Sequence, residues 1–406
     1  MTMKKTIKIF ALGLLSAALF SCQDAALPTI DNLVYISDAA NEKLGVVNMA
    51  DEGDTKVSFT VRLAKKTDKD VKVAIVVDEK ILAQYNETYQ AAFNHVAAEN
   101  LEYPAMAVIP AGSVSSDPVT ISVKSFETLG AQYALSFRVT SKGEIPVAES
   151  SSKYIVQLMK PLKQMVPTFN RGCAMQCEPQ TAWRLELMNY TLEWWVKMSS
   201  LDKNNQAIIN SGTKSVDEGG NPVGCELYIR FGDLIYSNGY NYDNRFLQIK
   251  TMGSQFDTGN PTQGNALNPR QWYHFAISYD GSTGKSIMYK DGQVVAELST
   301  GAGRTMNIDR FQMCCSNSYF PNEAEMCQVR LWKTTRTATQ IQKNMRSEVE
   351  YSNPDLIMYL PMSEGPGATT LADVTGNGHD VHIGNLTAAG GNGIGTQAVK
   401  WTEYAF

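Results

Sequence analysis

A strict alternation of apolar and polar residues constrains the fold more than any other feature of this sequence. Val57, Phe59, Val61 and Leu63 are apolar, and polar side chains separate them. Residues two apart lie on the same face of a β-strand, so this period predicts a strand with one buried face. Three further runs alternate in the same way and are separated by turn-forming residues: Val119–Val123, Leu135–Val139 and Tyr154–Leu158. An all-β fold follows, with one helical insert expected from about Asp78, which could cap it.

A set of local motifs accompanies these strands: Asp78, Leu82, Tyr85-Asn86, the turn at 109–112 before Val119-Thr-Ile121, and Tyr133 before Leu135. With these motifs, residues 33–159 resemble an Ig-like domain of unknown function. That domain is common at the N-terminus of surface lipoproteins in polysaccharide-degrading gut bacteria. The resemblance implies an Ig-like β-sandwich that acts as a spacer beside a functional domain. Residues 160–167 contain Pro161 and Pro167, which cannot donate to a β-ladder, and we interpret them as the linker.

The second half of the chain carries several distinct motifs. Two of them are an aromatic strand at 191–197 and a pair of alternating runs joined by Asp291-Gly292, a strong hairpin signal. The others are Gln328-Val-Arg-Leu-Trp332, Tyr359-Leu-Pro-Met-Ser-Glu-Gly365 and Asp373-Val-Thr-Gly-Asn-Gly378. In this order the motifs resemble the laminin-G/concanavalin-like jelly roll, which implies such a domain over residues 168–406. The predicted fold is therefore an Ig-like β-sandwich followed by a jelly roll.

The first 21 residues combine Lys4, Lys5 and Lys8 with an apolar run from Ile9 to Phe20. This pattern is typical of a secretory signal and is too short to span a bilayer. The run ends in Leu19-Phe-Ser-Cys22, which resembles the lipobox of bacterial lipoproteins. The resemblance implies lipidation of Cys22 and a tether over residues 22–32. We expect anchoring to the outer membrane with exposure at the cell surface, but the residues after Cys22 do not themselves distinguish the membrane faces.

The charge balance bears on the partners. The chain has 36 basic and 41 acidic side chains, and loss of residues 1–21 removes three lysines and no acid, which leaves a formal charge of −8. An acidic protein is a poor partner for nucleic acid or anionic lipid headgroups. We expect contact with the membrane only through the lipid anchor.

Catalysis has little support in the sequence. A glycosidase needs two carboxylates about 5–10 Å apart, and Glu323-x-Glu325 is the one tempting pair. Gln328 stands where a glycosidase strand of this fold would carry a third acid, so we expect solvated rim carboxylates and no enzyme. His274 lies within an aromatic strand, where core packing is the favoured interpretation.

A tyrosine-rich stretch is the best candidate for ligand binding. Tyrosine rings offer apolar faces to sugar CH groups, and neighbouring polar side chains can bond hydroxyls or a carboxylate. The candidate residues are Tyr236, Tyr240, Asn241, Tyr242, Asp243 and Arg245. The alternative is an ordinary hairpin loop, since Asn-Gly also serves turns.

A calcium site is a second candidate. Asp373, Asn377 and Asp380 cluster in a glycine-containing turn, and hard oxygen ligands suit this ion. The same residues also form turns without metal. Calcium is therefore the one cofactor that the sequence raises.

The cysteines leave two interpretations open. Cys314 and Cys315 precede Cys327 on what should be consecutive strands, where a cross-strand disulfide is feasible. Buried thiols are the alternative, and a metal site is disfavoured because no His or Cys partner has zinc-like spacing.

These observations favour a non-catalytic, lipid-anchored protein that captures a glycan or polysaccharide through its jelly roll. A protein-binding adhesin or assembly component is the alternative, and a glycoside hydrolase ranks third.

Overall fold

The computed structural model describes two β-sandwich domains. The described residues are 31–406, except 42–43, 51, 90, 144, 171–176, 178, 212–215, 221–226, 233, 236–241, 260–263, 309–310, 316–319 and 385–397. The predicted fold, an Ig-like sandwich followed by a laminin-G/concanavalin-like jelly roll, is confirmed.

The first domain contains eleven strands, two helices and one 3-10 turn (Ala98–Asn100). The strands are β1 Val34–Ile36, β2 Leu44–Asn48, β3 Thr55–Phe59, β4 Val61–Leu63, β5 Val71–Val77, β6 Asn94–His95, β7 Leu101–Glu102, β8 Met106–Ile109, β9 Val119–Val123, β10 Tyr133–Ser141 and β11 Lys153–Met159; the helices are α1 Ser37–Asn41 and α2 Glu79–Tyr89. One sheet has the order β2-β11-β10-β5-β8, with β6 paired to β10, and it packs against β3-β9-β7 and β1-β4. The alternating residues of β3 and β4 point into the core between the sheets, as the sequence predicts.

Helix α2 begins one residue after the predicted position. The Asp78 side chain accepts a hydrogen bond from the backbone N–H of Lys80 at 3.1 Å, which confirms its capping role. Leu82 is the buried residue of this helix and packs on Ala134 and Ile155 of the neighbouring sheet.

The second domain is a larger sandwich. Its elements are β12 Lys163–Phe169, β13 Leu185–Leu187, β14 Asn189–Met198, β15 Gln206–Asn210, β16 Tyr228–Phe231, β17 Leu234–Ile235, β18 Tyr242–Asp243, β19 Leu247–Thr251, β20 Ser254–Asp257, β21 Tyr273–Asp280, β22 Lys285–Lys290, β23 Gln293–Ser299, β24 Met306–Ile308, β25 Gln312–Met313, β26 Ala324–Trp332, α3 Ala338–Asn344, β27 Leu356–Leu360, β28 Thr370–Leu371, β29 Val381–His382 and β30 Lys400–Ala405. The large sheet has the order β23-β22-β21-β14-β26-β12-β30, with β27 paired to β26. The five-stranded sheet has the order β20-β19-β16-β15-β25, and the core lies between the two sheets.

Both tryptophans of β14 are buried, on opposite faces of the large sheet. Trp194 packs on Phe275 inside the core, with ring centroids 6.0 Å apart. Trp195 lies on the outer face, where Phe406 covers it and its indole N–H donates to the backbone oxygen of Met345 at 2.7 Å. The outer face of the large sheet is therefore packed beneath the C-terminus and the segment after α3.

The linker is shorter than predicted. Residues 163–167, which we assigned to it, begin β12 and pair with β30, and Pro167 lies opposite Trp401. Proline is tolerated there because β26, the other neighbour of β12, pairs only with Thr168 and Phe169. The connection between the domains is thus residues 160–162.

Within the described part of the chain, no helix has the length and apolar character needed to cross a membrane.

Candidate functional site

The outer face of the five-stranded sheet is polar. Ile229 and Phe231 of β16 point into the core, so Tyr228 and Arg230 point to the opposite side. On the neighbouring strand, Lys250 lies opposite Tyr228, and Gln248 lies opposite Arg230. We call Asn205, Tyr228, Arg230, Gln248 and Lys250 the polar face.

Hydrogen bonds order the centre of the polar face. The Arg230 guanidinium donates to Gln248 Oε1 from Nε at 3.0 Å and from Nη2 at 2.6 Å, and its Nη1 donates to Asn205 Oδ1 at 2.8 Å. The Tyr228 hydroxyl donates to the same Asn205 oxygen at 3.0 Å. Arg230 and Gln248 are buried, whereas Tyr228 and Lys250 are half-buried. The buried pair therefore fixes the surface, and a ligand can reach the half-buried side chains of Asn205, Tyr228 and Lys250.

The predicted ligand residues lie partly on the same hairpin. Strands β17 and β18 continue the β16–β19 hairpin, with Leu234 opposite Asp243. Arg245 binds the Asp243 carboxylate through two nitrogens, Nε to Oδ1 at 3.0 Å and Nη2 to Oδ2 at 2.8 Å. The Asp243 side chain is 4% exposed and that of Arg245 is 54% exposed, so the aspartate holds the guanidinium towards solvent. Tyr236, Tyr240, Asn241 and the side chain of Tyr242 are not among the described parts of the structure.

The polar face itself was not predicted from the sequence. Tyr228-Ile-Arg-Phe and Leu247-Gln-Ile-Lys both alternate polar with apolar residues, which is the signal that would have placed these side chains on one outer surface.

The Glu323–Glu325 pair does not form a dyad. Glu323 is exposed and accepts a hydrogen bond from Asn170 Nδ2 at 3.3 Å. Glu325, which we expected to be solvated, is instead mostly buried in an ion pair with Lys197 and accepts from the Tyr404 hydroxyl. Burial alone would lower the pKa of Lys197, but the bonds to Glu325 and Tyr404 outweigh it and raise that pKa. Glu325 is therefore a structural partner of Lys197 and Tyr404.

His274 is buried on the outer face of the large sheet, as the packing interpretation expects. Burial, with the charges of Arg330 and Arg336, lowers its pKa well below the ordinary value, so the imidazole stays neutral. A permanently neutral, inaccessible ring has no means of exchanging protons with a substrate.

The structure brings the three predicted calcium residues into one turn. Asp373 Oδ1 accepts from the N–H groups of Tyr359 and Thr375 at 3.0 and 3.1 Å, and Oδ2 accepts from the N–H of His379 at 3.1 Å. Asp380 accepts from the Asp373 N–H at 2.8 Å, and Asn377 Nδ2 donates to the carbonyl of Ile357 at 2.9 Å. Protein donors already satisfy the Asp373 carboxylate, an arrangement that fits a turn more closely than a cation site. Calcium stays a prediction.

We expect Asp373→Asn to lower the free energy of unfolding of the second domain by about 1–2 kcal/mol at pH 7, since charge-assisted hydrogen bonds become neutral ones. Burial alone would raise the pKa of Asp373, but hydrogen bonds from His379, Tyr359 and Thr375 hold it below its ordinary 3.8. The carboxylate therefore stabilises the fold above that value, and this contribution disappears as the pH falls through the folded-state pKa.

Urea unfolding followed by tryptophan fluorescence measures this effect, because all six tryptophans lie between residues 183 and 401. Asp355→Asn is the matched control and should change little, since that half-exposed carboxylate has only a weak surface pair with Lys333 at 3.8 Å. If wild type and Asp373→Asn differ in free energy of unfolding by the same amount at pH 2 as at pH 7, the expectation is wrong. Repeating the wild-type curve in calcium and in chelator tests the calcium prediction, which requires a lower midpoint in chelator.

The predicted cross-strand disulfide is not formed. Cys327 is a buried free thiol whose pKa burial raises well above its ordinary value. Consecutive strands were expected to pair, but β25 belongs to the five-stranded sheet and β26 to the large one. Cys314 Sγ lies 3.8 Å from Met326 Sδ in the core, whereas Cys327 lies opposite Trp195 and shares its outer face. Cys22 precedes the first described residue.

Comparisons with known proteins agree with this architecture. Residues 179–342 match the laminin-G-type family model of the concanavalin A-like lectin/glucanases superfamily, and residues 30–145 match a family model of an N-terminal domain. None of the curated proteins matches the chain.

Three solved structures of Bacteroides proteins match the chain, and one of them exceeds a TM-score of 0.5. A proposed carbohydrate-binding protein from Bacteroides ovatus has a TM-score of 0.60 at 18% identity and covers 92% of this chain and 97% of its own. EndoBT-3987 from Bacteroides thetaiotaomicron, with a Man5GlcNAc product, matches 31% of this chain and 30% of its own at 17% identity and a TM-score of 0.27. An auxiliary nutrient binding protein of the same species matches 76% and 96% at 12% identity and a TM-score of 0.27. The chain is therefore similar over residues 30–145 to a family of N-terminal domains, and over residues 179–342 to laminin-G-type domains of the concanavalin A-like lectin/glucanases superfamily.

Proposed function

We propose that this protein is a non-catalytic lipoprotein of the cell envelope that binds a glycan through the polar face of its jelly roll. The observation that carries the proposal is the ordered polar face itself, where a half-buried tyrosine ring and a lysine lie beside a fixed Arg–Gln–Asn network. A tyrosine ring can stack on the CH face of a sugar while hydroxyl and amine groups bond its oxygens. A protein with the same fold over both domains is described as a proposed carbohydrate binder, which supports this function.

Binding is favoured over hydrolysis by the side chains that share the polar face. Opposite Gln248 lies Asp257, the one carboxylate on the outward positions of β16, β19 and β20 that the structure describes. Hydrolysis by the usual route requires a second carboxylate across the glycosidic bond. The buried Arg230 donates hydrogen bonds to Gln248 and Asn205, so it positions the side chains of the polar face.

The first domain serves, in this proposal, as a spacer between the lipid on Cys22 and the binding domain. Labelled palmitate fed to the native host should enter the wild-type protein and not the Cys22→Ala variant. Cell-surface exposure is then tested by protease shaving of intact cells, which should digest the jelly roll if the anchor lies in the outer leaflet.

We expect Tyr228→Ala to weaken glycan binding at least tenfold, because it removes the stacking surface and one bond to Asn205. Calorimetry against a broad panel of neutral and acidic polysaccharides would first identify the ligand of residues 23–406. Tyr89→Ala is the matched control, since that ring is exposed on α2 in the other domain. If Tyr228→Ala is folded and binds the glycan with undiminished affinity, the binding site does not lie on the polar face.

Protein binding is the second candidate, and one observation favours it. Strand β8 is at the edge of its sheet, and its outward residues Met106 and Val108 are 54% and 43% exposed. An apolar edge strand can pair with a strand of a partner. If the folded protein binds no glycan of the panel, this second function is favoured.

A further inference from the structure

A cleft lies between the two domains, at the point where the chain passes from one to the other. It encloses about 180 Å³. The first domain contributes the turn at residues 128–132 and the end of β11, and the second contributes Lys163 and residues 343–348. Neither domain alone forms both walls.

The lining of this cleft is basic. Lys160, Lys163, Lys343 and Arg346 line it, with Glu348 as the one acid in the lining. Lys163 approaches Glu403 at 3.6 Å in an exposed pair, which is weak in water. The other three cations form no ion pair with any residue that the structure describes. Such a local excess of positive charge stands out on a chain whose formal charge is −5.

The rest of the lining is largely apolar. Met49, Leu158, Met159, Pro161 and Leu162 contribute to it, and Met159 is 41% exposed. A cleft with an apolar wall and several converging cations suits a ligand that has an apolar face and a negative charge. A sugar ring with an acidic substituent has both features.

Close backbone packing fixes the two walls relative to each other. Gly130 has a φ of +76°, and a Cβ placed there would lie 1.9 Å from the carbonyl oxygen of Val349. Beside it the Tyr351 N–H donates to the Leu129 carbonyl at 3.1 Å. The spacing of the two walls is thus set before any ligand arrives, which reduces the entropic cost of binding.

We propose that the interdomain cleft binds one sugar unit that carries an anionic group, either a carboxylate or a sulfate ester. Its volume is small against the roughly 300–1,000 Å³ of ordinary ligand pockets, so it accommodates a single unit and not an extended chain. The Lys343 and Arg346 side chains contact the anion, and the apolar wall contacts the ring. This second site deepens the proposed glycan-binding function but uses none of the residues of the polar face.

Calorimetry of residues 23–406 with glucuronate, galacturonate and 6-sulfated N-acetylglucosamine tests the proposal. At least one should bind, neutral glucose should not, and the comparison of acids with the sulfated sugar identifies the anionic group. The double variant Lys343→Ala/Arg346→Ala should weaken binding at least tenfold. In the wild type, raising the salt from about 20 mM to 0.5 M should also weaken binding, because screening shortens the reach of exposed charges.

Two control variants show whether binding depends on the cleft or on charge elsewhere. Lys65→Ala/Lys66→Ala removes the same charge from an exposed loop of the first domain and should leave the affinity within twofold. The double variant is also made in the Tyr228→Ala background, so binding at the polar face does not affect this test. Four outcomes would each overturn the proposal. Acetate or sulfate could bind as tightly as the acidic sugars, or the double variant could bind as tightly as the wild type. The protein could bind anionic vesicles in place of the sugars, or it could bind no acidic sugar.

Discussion

Replacing Arg330 with alanine should lower the free energy of unfolding of the second domain by about 3–5 kcal/mol, because three oxygens lose hydrogen bonds from a buried, charged donor, each worth about 1.5–3 kcal/mol. Arg330 is 1% exposed. Its Nη1 donates to the carbonyl of Asn344 at 3.0 Å, and its Nη2 donates to the carbonyl of Ser347 at 2.6 Å and to Gln328. These bonds attach the segment after α3 to the outer face of the large sheet, so their loss frees that segment as well.

The charges around Arg330 do not add to this cost. Glu193 lies opposite Arg330 on β14, is fully buried and is 3.3 Å from Arg336 Nε. The Arg336 guanidinium also lies 3.9 Å from the centre of the Trp332 ring. Without Arg330, Arg336 and Glu193 remain as a balanced buried ion pair beside a neutral His274. The loss in Arg330→Ala therefore comes from the hydrogen bonds to Asn344, Ser347 and Gln328.

Guanidinium unfolding followed by tryptophan fluorescence gives the measurement, because the first domain contains no tryptophan. Arg346→Ala is the control, since that side chain is exposed and should change stability by less than about 0.5 kcal/mol. Arg330→Lys should recover only part of the loss, because an ammonium cannot reproduce the planar fork. A loss below about 1 kcal/mol in Arg330→Ala would mean that water replaces the guanidinium at little cost.

The sequence predicts the fold because its signals are local. The alternation of Val57 to Leu63 fixes which side chains are buried, and Asp291-Gly292 fixes a hairpin through backbone preferences that act over a few residues. Strand pairing between distant segments has no such local signal. Of the two interpretations left open for the cysteines, the structure has buried thiols and not the cross-strand disulfide, since neighbours in sequence, β25 and β26, belong to different sheets.

Candidate sites were harder to predict because solvent exposure depends on what covers a sheet. Alternation predicts the two faces of each strand but not which outer face is covered. The outer face that carries Glu193 and Trp195 is buried beneath the C-terminus, whereas Tyr228 and Lys250 remain accessible. Glu325 was expected in solvent for the same reason. Its partner Tyr404 arrives from the last strand of the chain, 79 residues later.

Replacing Gly130 with alanine should loosen the contact between the two domains. An L-residue at a φ of +76° costs about 1–2 kcal/mol in backbone strain alone. The added methyl would also lie 1.9 Å from the Val349 carbonyl oxygen and 2.9 Å from the Tyr351 ring. Backbone on both sides must move, and the bond from the Tyr351 N–H to the Leu129 carbonyl is lost with it.

Gly112→Ala provides a matched control for that prediction. Gly112 has a φ of +77°, and no atom lies within 4 Å of the position of its Cβ, so alanine there introduces the same backbone strain without the collision. Amide hydrogen exchange of residues 126–132 and 345–353 should rise at least tenfold in Gly130→Ala, which corresponds to about 1.4 kcal/mol of lost protection. It should stay unchanged in Gly112→Ala. Faster exchange confined to 126–132 would mean that the turn alone yields and the domains keep their contact. Faster exchange in both segments would show that one glycine sets the spacing of the walls between which the cations of the cleft are held.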